Sequence, residues 1–124
     1  AVVEGDESFL REAIGNVIRN AREALREREA DGEAVLEISL RRRGGEVVIE
    51  VSDNGPGIDP ERAAQVFEPF ATTKPKGMGL GLPICREIVE GHGGRVELRS
   101  KRGVGTTVQI ILPLATSLAL YQPA

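Results

Sequence analysis

Two glycine-rich turns and the polar residues around them are the part of this sequence that could do chemistry. The first turn follows Asp53 and occupies residues 53–58 (Asp-Asn-Gly-Pro-Gly-Ile), and the second is residues 77–81 (Gly-Met-Gly-Leu-Gly). Glycine lets a backbone adopt a positive φ and approach a ligand closely. Two such turns in one small domain indicate a bound phosphate compound. We therefore predict an ATP pocket, closed by a mobile lid, over residues 53–81.

The second turn leads directly into a predicted helix. Helix N-termini bind phosphates because their N–H groups are unpaired and the positive end of the helix dipole lies there. The turn is not the dinucleotide-binding fingerprint, since no strand precedes it, and the sequence contains no Gly-Lys-Ser/Thr of a Walker loop. A nucleotide site here must belong to another type.

Asp53 ends a predicted strand and precedes two glycines. A carboxylate in that place can accept a hydrogen bond from an exocyclic amine, which suits adenine. The alternative is a turn aspartate that binds its own backbone.

Asn16 and Asn20 lie four residues apart and therefore on one face of a predicted helix. With a step of about 100° per residue they fall at the edge of the apolar stripe, beside Ala13 and Ala24. Two carboxamides would thus stand where the helix passes from the core to an opening. Taken alone, such a pair is also typical of a solvated helix edge.

The elements that position these residues follow from hydrophobic periodicity. Asp6 can cap the first helix, Gly44-Gly45 is typical of a hairpin turn, and Asp59-Pro60-Glu61 is typical of a capped helix start. The predicted helices cover residues 7–29, 59–67 and 80–92, and the predicted strands cover 34–41, 46–52, 95–100 and 106–112. This order predicts an α+β fold, a two-layer sandwich in which about three helices cover one face of a mixed, mainly antiparallel sheet.

Length and composition place the chain among ordinary globular domains. It has 124 residues, of which 40% are hydrophobic and 28% charged, and its net charge is −3. Nothing in that balance favours nucleic acid as a partner. Cys85 is the one cysteine, so no internal disulfide can form and a reducing, cytoplasmic setting is expected. We expect a domain over residues 1–114 and a loose tail over 115–124, together a monomeric fragment of a longer protein whose parent could be membrane-anchored.

The motifs taken together resemble the catalytic and ATP-binding domain of sensor histidine kinases. That domain belongs to the Bergerat-fold superfamily, which includes gyrase, the Hsp90 chaperones and MutL. Five segments are similar to its motifs in the right order: residues 16–21 to the N box, 53–57 to the first glycine box, 67–70 to the Phe box, 77–81 to the second glycine box, and 105–107 to the last motif. Residues 72–74 and the Asn-Ala-x-x-Ala form of the N box look like the nitrogen- and oxygen-sensing subgroup with short lids.

The resemblance implies a role for each motif. Asn20 would coordinate Mg²⁺ between the phosphates, with Asn16 beside it, and a carboxamide oxygen is a suitable hard ligand for this ion. Asp53 would bind the adenine amine directly and Thr106 would assist through water. Gly55 and Gly57 would let the backbone pass close to the base. The implied ATP-binding residues are Asn16, Asn20, Asp53, Gly55, Gly57, Ile58, Phe70, Thr73, Lys74, Lys76, Gly77, Gly79, Leu80, Gly81, Leu82 and Thr106.

The lid follows from the same resemblance. Lys74 and Lys76 would contact the phosphates from the lid, and residues 79–81 would offer backbone N–H groups. Phe67 and Phe70 would hinge and anchor the lid, although packing alone accounts for both.

Two positions depart from related proteins. Many kinases of the family carry Lys or Arg three residues after the second N-box asparagine, where this chain has Glu23, so more of the phosphate charge must be neutralised by the lid. Hydrolytic relatives carry Glu four residues before the Mg²⁺-binding asparagine, where this chain has Asn16. Asn16 cannot act as a base toward water, which favours phosphoryl transfer to another nucleophile.

The implied nucleophile is a histidine on a separate dimerisation domain, and a response regulator would act downstream. His92 is the only histidine here and lies in a Gly-rich turn, so we predict a structural role for it. The alternatives are a Bergerat-fold ATPase, a serine-directed anti-sigma kinase, and a nucleotide-binding module without activity.

Overall fold

A computed structural model describes residues 7–28, 32–68 and 81–114. The described helices and strands follow the predicted order. They are α1 (Glu7–Arg26), β1 (Leu36–Arg43), β2 (Glu46–Asp53), α2 (Pro60–Ala63), α3 (Gly81–Gly91), β3 (Arg95–Lys101) and β4 (Gly105–Pro113).

The four strands form one sheet in the order β1-β2-β4-β3. Every described pairing is antiparallel, which confirms the predicted α+β fold with a mainly antiparallel sheet. The central pair β2 and β4 places Asp53 opposite Thr106, and β3 places Ser100 opposite the same threonine. Since directly opposed residues in antiparallel strands point to the same face, these three side chains share one face of the sheet.

Helices α1 and α3 pack together on that face. The stripe of α1 buries Ala13, Val17 and Ala21, whose small side chains let the helix approach β2 closely. From the sheet, Val51, Val108 and Ile110 complete the core. None of the described helices is long and apolar enough to cross a membrane.

Strand β1 lies at the sheet edge and differs from the rest. Its apolar residues alternate as expected, but Ile38 and Leu40 remain 53% and 68% exposed. The two long helices pack over β2, β4 and β3, and of the apolar β1 residues Leu36 packs against the core whereas Ile38 and Leu40 do not. Gly44 has a φ of 59° at the first turn position, which is the residue and geometry that a tight hairpin requires.

Helix α2 is shorter than predicted. It is a single turn that begins at Pro60 after Asp59 in the N-cap position, as predicted, but the Asp59 side chain makes no capping hydrogen bond. Its carboxylate instead pairs with Arg102 at 3.1 Å. Helix α1 ends at Arg26 rather than at 29, and α3 is described over Gly81–Gly91.

Candidate functional site

Asp53 lies at the end of β2 and is 9% exposed. Burial raises the pKa of its carboxyl group above the ordinary value, while the backbone N–H groups of Gly55 and Thr106 offset part of that effect by donating to it. The Gly55 N–H lies 2.9 Å from Asp53 Oδ1. Asp53 therefore binds its own turn, as the structural alternative predicted, and also presents a buried acceptor beside Thr106.

The two glycines of the first turn are required by contacts within the chain. A Cβ on Gly55 would lie 2.9 Å from Asp53 Oδ1 and 3.0 Å from the Ala24 carbonyl oxygen of α1. Gly57 has a φ of +75°, and a Cβ there would collide with the Lys101 carbonyl group. Both glycines thus let the turn pack between α1 and the β3–β4 turn, and their predicted closeness to the base remains a prediction.

Asn54 connects the same turn to the segment before β1, a role that was not predicted from the sequence. Its Oδ1 accepts the Val35 N–H at 2.8 Å, and its Nδ2 donates to the Glu33 carbonyl at 2.8 Å. Arg28, just beyond the end of α1, donates to the Asn54 carbonyl at 2.9 Å. The turn is therefore held both by Arg28 and by the segment before β1.

Ser100 is a second residue that the sequence reading missed. Its Oγ accepts the Ile58 N–H at 2.8 Å and lies 2.7 Å from Thr106 Oγ1. The Gly103 N–H also donates to the Pro56 carbonyl at 2.7 Å. The sequence did carry a signal for this role. Ser100 follows Val96 and Leu98 in the inward-facing row of a half-buried strand, and a polar group in such a row needs a hydrogen-bond partner.

The α1 flank carries the two predicted asparagines. Asn16 is buried at 7% exposure, and its Oδ1 accepts a hydrogen bond from Arg19 at 3.1 Å. Its Nδ2 is also buried and has no hydrogen-bond partner among the described residues. Asn20 is half-buried one turn further on. Buried polar atoms are nearly always satisfied, so the Asn16 amide indicates a place for an external acceptor such as a phosphate oxygen.

Comparison with known proteins decides the family. The family model of histidine kinase-, DNA gyrase B- and HSP90-like ATPases matches residues 5–116. This chain belongs to that family.

Its relatives are sensor kinases. The chain is 43% identical over 112 residues to the C4-dicarboxylate transport sensor protein DctS of Rhodobacter capsulatus, covering 90% of this chain and 17% of that protein. It is 36% identical over 110 residues to the nitrogen regulation protein NtrY of Azorhizobium caulinodans, covering 86% and 14%. Among solved structures, the mycobacterial sensor histidine kinase MprB superposes with a TM-score of 0.76 at 32% identity, over 90% of this chain and 74% of that one.

These matches confirm that the chain is a histidine kinase catalytic domain and a member of a family that uses ATP. The chain spans less than a fifth of the length of the two sensor proteins named. It corresponds to a domain of such proteins.

The asparagine flank of this kinase domain fits a magnesium ion better than a protein-caged metal. The described residues hold no group of three or more His, Cys, Asp or Glu side chains that could form a metal centre. Mg²⁺ commonly takes few protein ligands and keeps water and phosphate oxygens instead. A single carboxamide oxygen from Asn20 beside a nucleotide is compatible with that chemistry.

Glu23 occupies the same flank one turn beyond Asn20. It is half-buried, and its Oε2 is buried. A carboxylate here adds negative charge to the flank that carries Asn16 and Asn20.

The predicted ATP-binding residues of the lid and of the second glycine turn up to residue 80 lie outside the described part of the chain: Phe70, Thr73, Lys74, Lys76, Gly77, Gly79 and Leu80. Gly81 is the first described residue of α3. Leu82 is 5% exposed within the hydrophobic core.

Phe67 packs against the core, with the Arg86 guanidinium 5.5 Å from its ring centre. His92 Nδ1 lies 2.8 Å from the Ile88 carbonyl at the end of α3, a local contact of a structural kind. Cys85 is fully buried, and burial raises the pKa of its thiol to about 12, as expected of an inert core residue.

Proposed function

We propose that this domain binds Mg-ATP and transfers the γ-phosphoryl group to a histidine on a separate dimerisation domain of its parent protein. The phosphohistidine would then serve a response regulator. The observation that carries the proposal is the buried α1 flank, where the side chain four residues before Asn20 is the carboxamide of Asn16. Its Nδ2 can donate to a phosphate oxygen but cannot take a proton from water.

Different residues bind the base and the phosphates of ATP. Asp53, with Thr106 beside it, accepts hydrogen bonds from the adenine amine. Asn16 donates to phosphate, Asn20 holds Mg²⁺, and the bound ion neutralises phosphate charge. Lys74, Lys76 and the N–H groups of residues 79–81 supply the remaining positive charge. Catalysis then rests on positioning and electrostatic stabilisation.

The transfer itself breaks the bond between the γ-phosphorus and its bridging oxygen, and ADP leaves. A new bond joins that phosphorus to an imidazole nitrogen of the acceptor histidine. No water is consumed, so the domain needs no base that activates water. A hydrolytic relative would need one, and the position of Asn16 disfavours that alternative. The serine-directed kinase and the inactive module are disfavoured by the sensor-kinase relatives and by the complete motif set.

The test is transfer to an acceptor domain supplied separately. The chain is mixed with a histidine-bearing dimerisation domain and γ-labelled ATP, and the products are analysed for acid-labile phosphohistidine. We expect label on the acceptor only. Release of inorganic phosphate at the same rate with and without acceptor would identify an ATPase instead, and label on a serine would identify the other kinase type. Absence of both label and phosphate release would support the inactive module.

A further inference from the structure

Ser100 joins three groups at the predicted adenine end of the site. The Ile58 N–H donates to its Oγ at 2.8 Å. Thr106 Oγ1 lies 2.7 Å away, and the Gly105 carbonyl oxygen lies 3.1 Å away. A serine hydroxyl has one hydrogen and two acceptor lone pairs, so three partners are the most it can serve.

The hydrogen positions follow from these partners. Ile58 N–H can only donate and the Gly105 carbonyl can only accept. The Ser100 hydrogen must therefore go to Gly105 if all three contacts are hydrogen bonds together. Thr106 must then donate its own hydrogen to Ser100. This arrangement leaves Thr106 Oγ1 with lone pairs and no hydrogen for the site.

Thr106 and Asp53 are opposed across β2 and β4, and both side chains lie on the helix face. An ionised Asp53 is also an acceptor without a hydrogen. Two neighbouring acceptors that contact the base directly match the exocyclic amine of adenine. They repel guanine, which carries the acceptor O6 in the place of that amine.

We propose that Ser100 is a positioning residue that holds Thr106 as a hydrogen-bond acceptor and thereby makes the site select adenine over guanine. The proposal rests on the adenine-binding role proposed for Asp53. Ser100 acts through Thr106 and Ile58 and does not itself touch the base. Without its oxygen, the Thr106 hydroxyl is free to turn and donate to guanine O6, and the Ile58 segment loses its tie to β3.

The chain offers a matched control on the opposite face of the same sheet. Ser52 Oγ lies 2.9 Å from Thr107 Oγ1, so this pair repeats the serine–threonine contact on the face away from Asp53, Ser100 and Thr106. Ser52→Ala removes a comparable hydroxyl pair. Any effect common to both alanine variants is therefore a general effect of losing such a pair.

The experiment measures ADP and GDP affinity by calorimetry for wild type, Ser100→Ala, Ser100→Thr and Ser52→Ala. Ser100→Ala should lower ADP affinity about tenfold, because it removes one hydrogen bond and no longer holds Thr106 as a hydrogen-bond acceptor. GDP affinity should fall less or rise, so the ratio of ADP affinity to GDP affinity should decrease. Ser100→Thr keeps the hydroxyl and should keep the preference, and Ser52→Ala should match wild type. An equal fall for both nucleotides, or an unchanged ratio, would overturn the proposal.

Two further variants keep the result interpretable. Thr106→Val removes the hydroxyl with little change in shape and should also narrow the ADP preference, even if Ser100→Ala folds poorly. An unchanged preference in Thr106→Val would count against the proposal. Asp53→Asn tests the adenine site itself: if it leaves ADP affinity unchanged, the proposed function fails at this residue. If Asp53→Asn loses ADP while Ser100→Ala keeps the wild-type ratio, only the present inference fails.

Discussion

The two ends of the candidate site are built in different ways. At the proposed adenine end, the turn after Asp53 is held on both sides, by Asn54 toward the segment before β1 and by Ser100 of β3. On the α1 flank, the buried Asn16 Nδ2 has no partner among the described residues. The first region satisfies its own polar atoms, and the second leaves a buried donor for something outside the described chain.

The difference indicates that the turn after Asp53 is already formed without nucleotide, whereas the α1 flank is completed by a ligand. Hydrogen bonds within the chain fix the position of the Asp53 carboxylate before any nucleotide arrives, so base recognition costs little ordering. The α1 flank combines the unsatisfied amide of Asn16 with the half-buried carboxylate of Glu23. We infer that phosphate and metal complete this half on binding.

The largest effect is expected at the metal position. Asn20→Ala should lower Mg-ATP-dependent phosphotransfer by about 100-fold or more, because a group that stabilises transferring phosphoryl charge would be lost. Adenosine affinity should stay near wild type, since the adenine end is independent. Transfer rates with a separate acceptor domain and calorimetry with adenosine measure the two halves. Transfer near the wild-type rate would remove Asn20 from the site.

The next effect is expected at the base. Asp53→Asn should lower ADP affinity by roughly 30- to 100-fold, because a hydrogen bond to a charged acceptor contributes more than a neutral one. The loss should be the same with and without Mg²⁺ if the two halves are separate. Calorimetry with ADP provides the measurement, and circular dichroism confirms the fold. Unchanged ADP affinity would contradict the assignment.

Acidification should reveal the burial of Asp53. Burial raises the pKa of this carboxyl group in the nucleotide-free protein, so it takes up a proton at a higher pH than an ordinary aspartate. Only the ionised form accepts hydrogen bonds at both oxygens. ADP affinity should therefore be constant at neutral pH and fall as the pH drops toward this raised pKa.

Asp53→Asn provides the comparison for the pH series, because its affinity should not change over the same range. Titrations of ADP at stepwise lower pH measure both proteins. A parallel fall in the two would show that another group, or the nucleotide itself, is titrating.

The smallest effect is expected at Glu23. Glu23→Gln should raise affinity for Mg-free ATP about threefold at low salt, because a carboxylate on the phosphate flank repels the triphosphate. Adenosine affinity should not change. Glu37→Gln, at an exposed position of β1, makes the same charge change away from the site and should leave both values at wild type. Equal effects in the two variants would mean that only net charge matters.

The fold was predictable because its signals are local. Alternating apolar residues, a glycine hairpin and a continuous helical stripe each lie within one element, and all four strands and the two long helices were found. The edge of β1 was less predictable, because the period of a strand does not say whether a helix lies over it. The error at Asp59 has a related cause: its capping pattern is local, but the partner that it meets, Arg102, is 43 residues away.

The same distinction separates the predicted site residues from the missed ones. Asn16, Asn20 and Asp53 stand in patterns that can be read within a few residues. Ser100 and Asn54 act through contacts 42 and 19 residues away, with Ile58 and Val35. No short motif contains both members of such a pair, so their roles needed the assembled sheet.

Amide hydrogen exchange, resolved by residue in the nucleotide-free and ADP-bound protein, tests the central claim most directly. If the adenine end is prebuilt, the N–H groups of Gly55, Ile58 and Val35 exchange slowly without nucleotide and change little when ADP binds. The reason is that Asp53, Ser100 and Asn54 already accept their hydrogen bonds. Fast exchange at these three positions without nucleotide, with protection appearing only after ADP is added, would contradict the account.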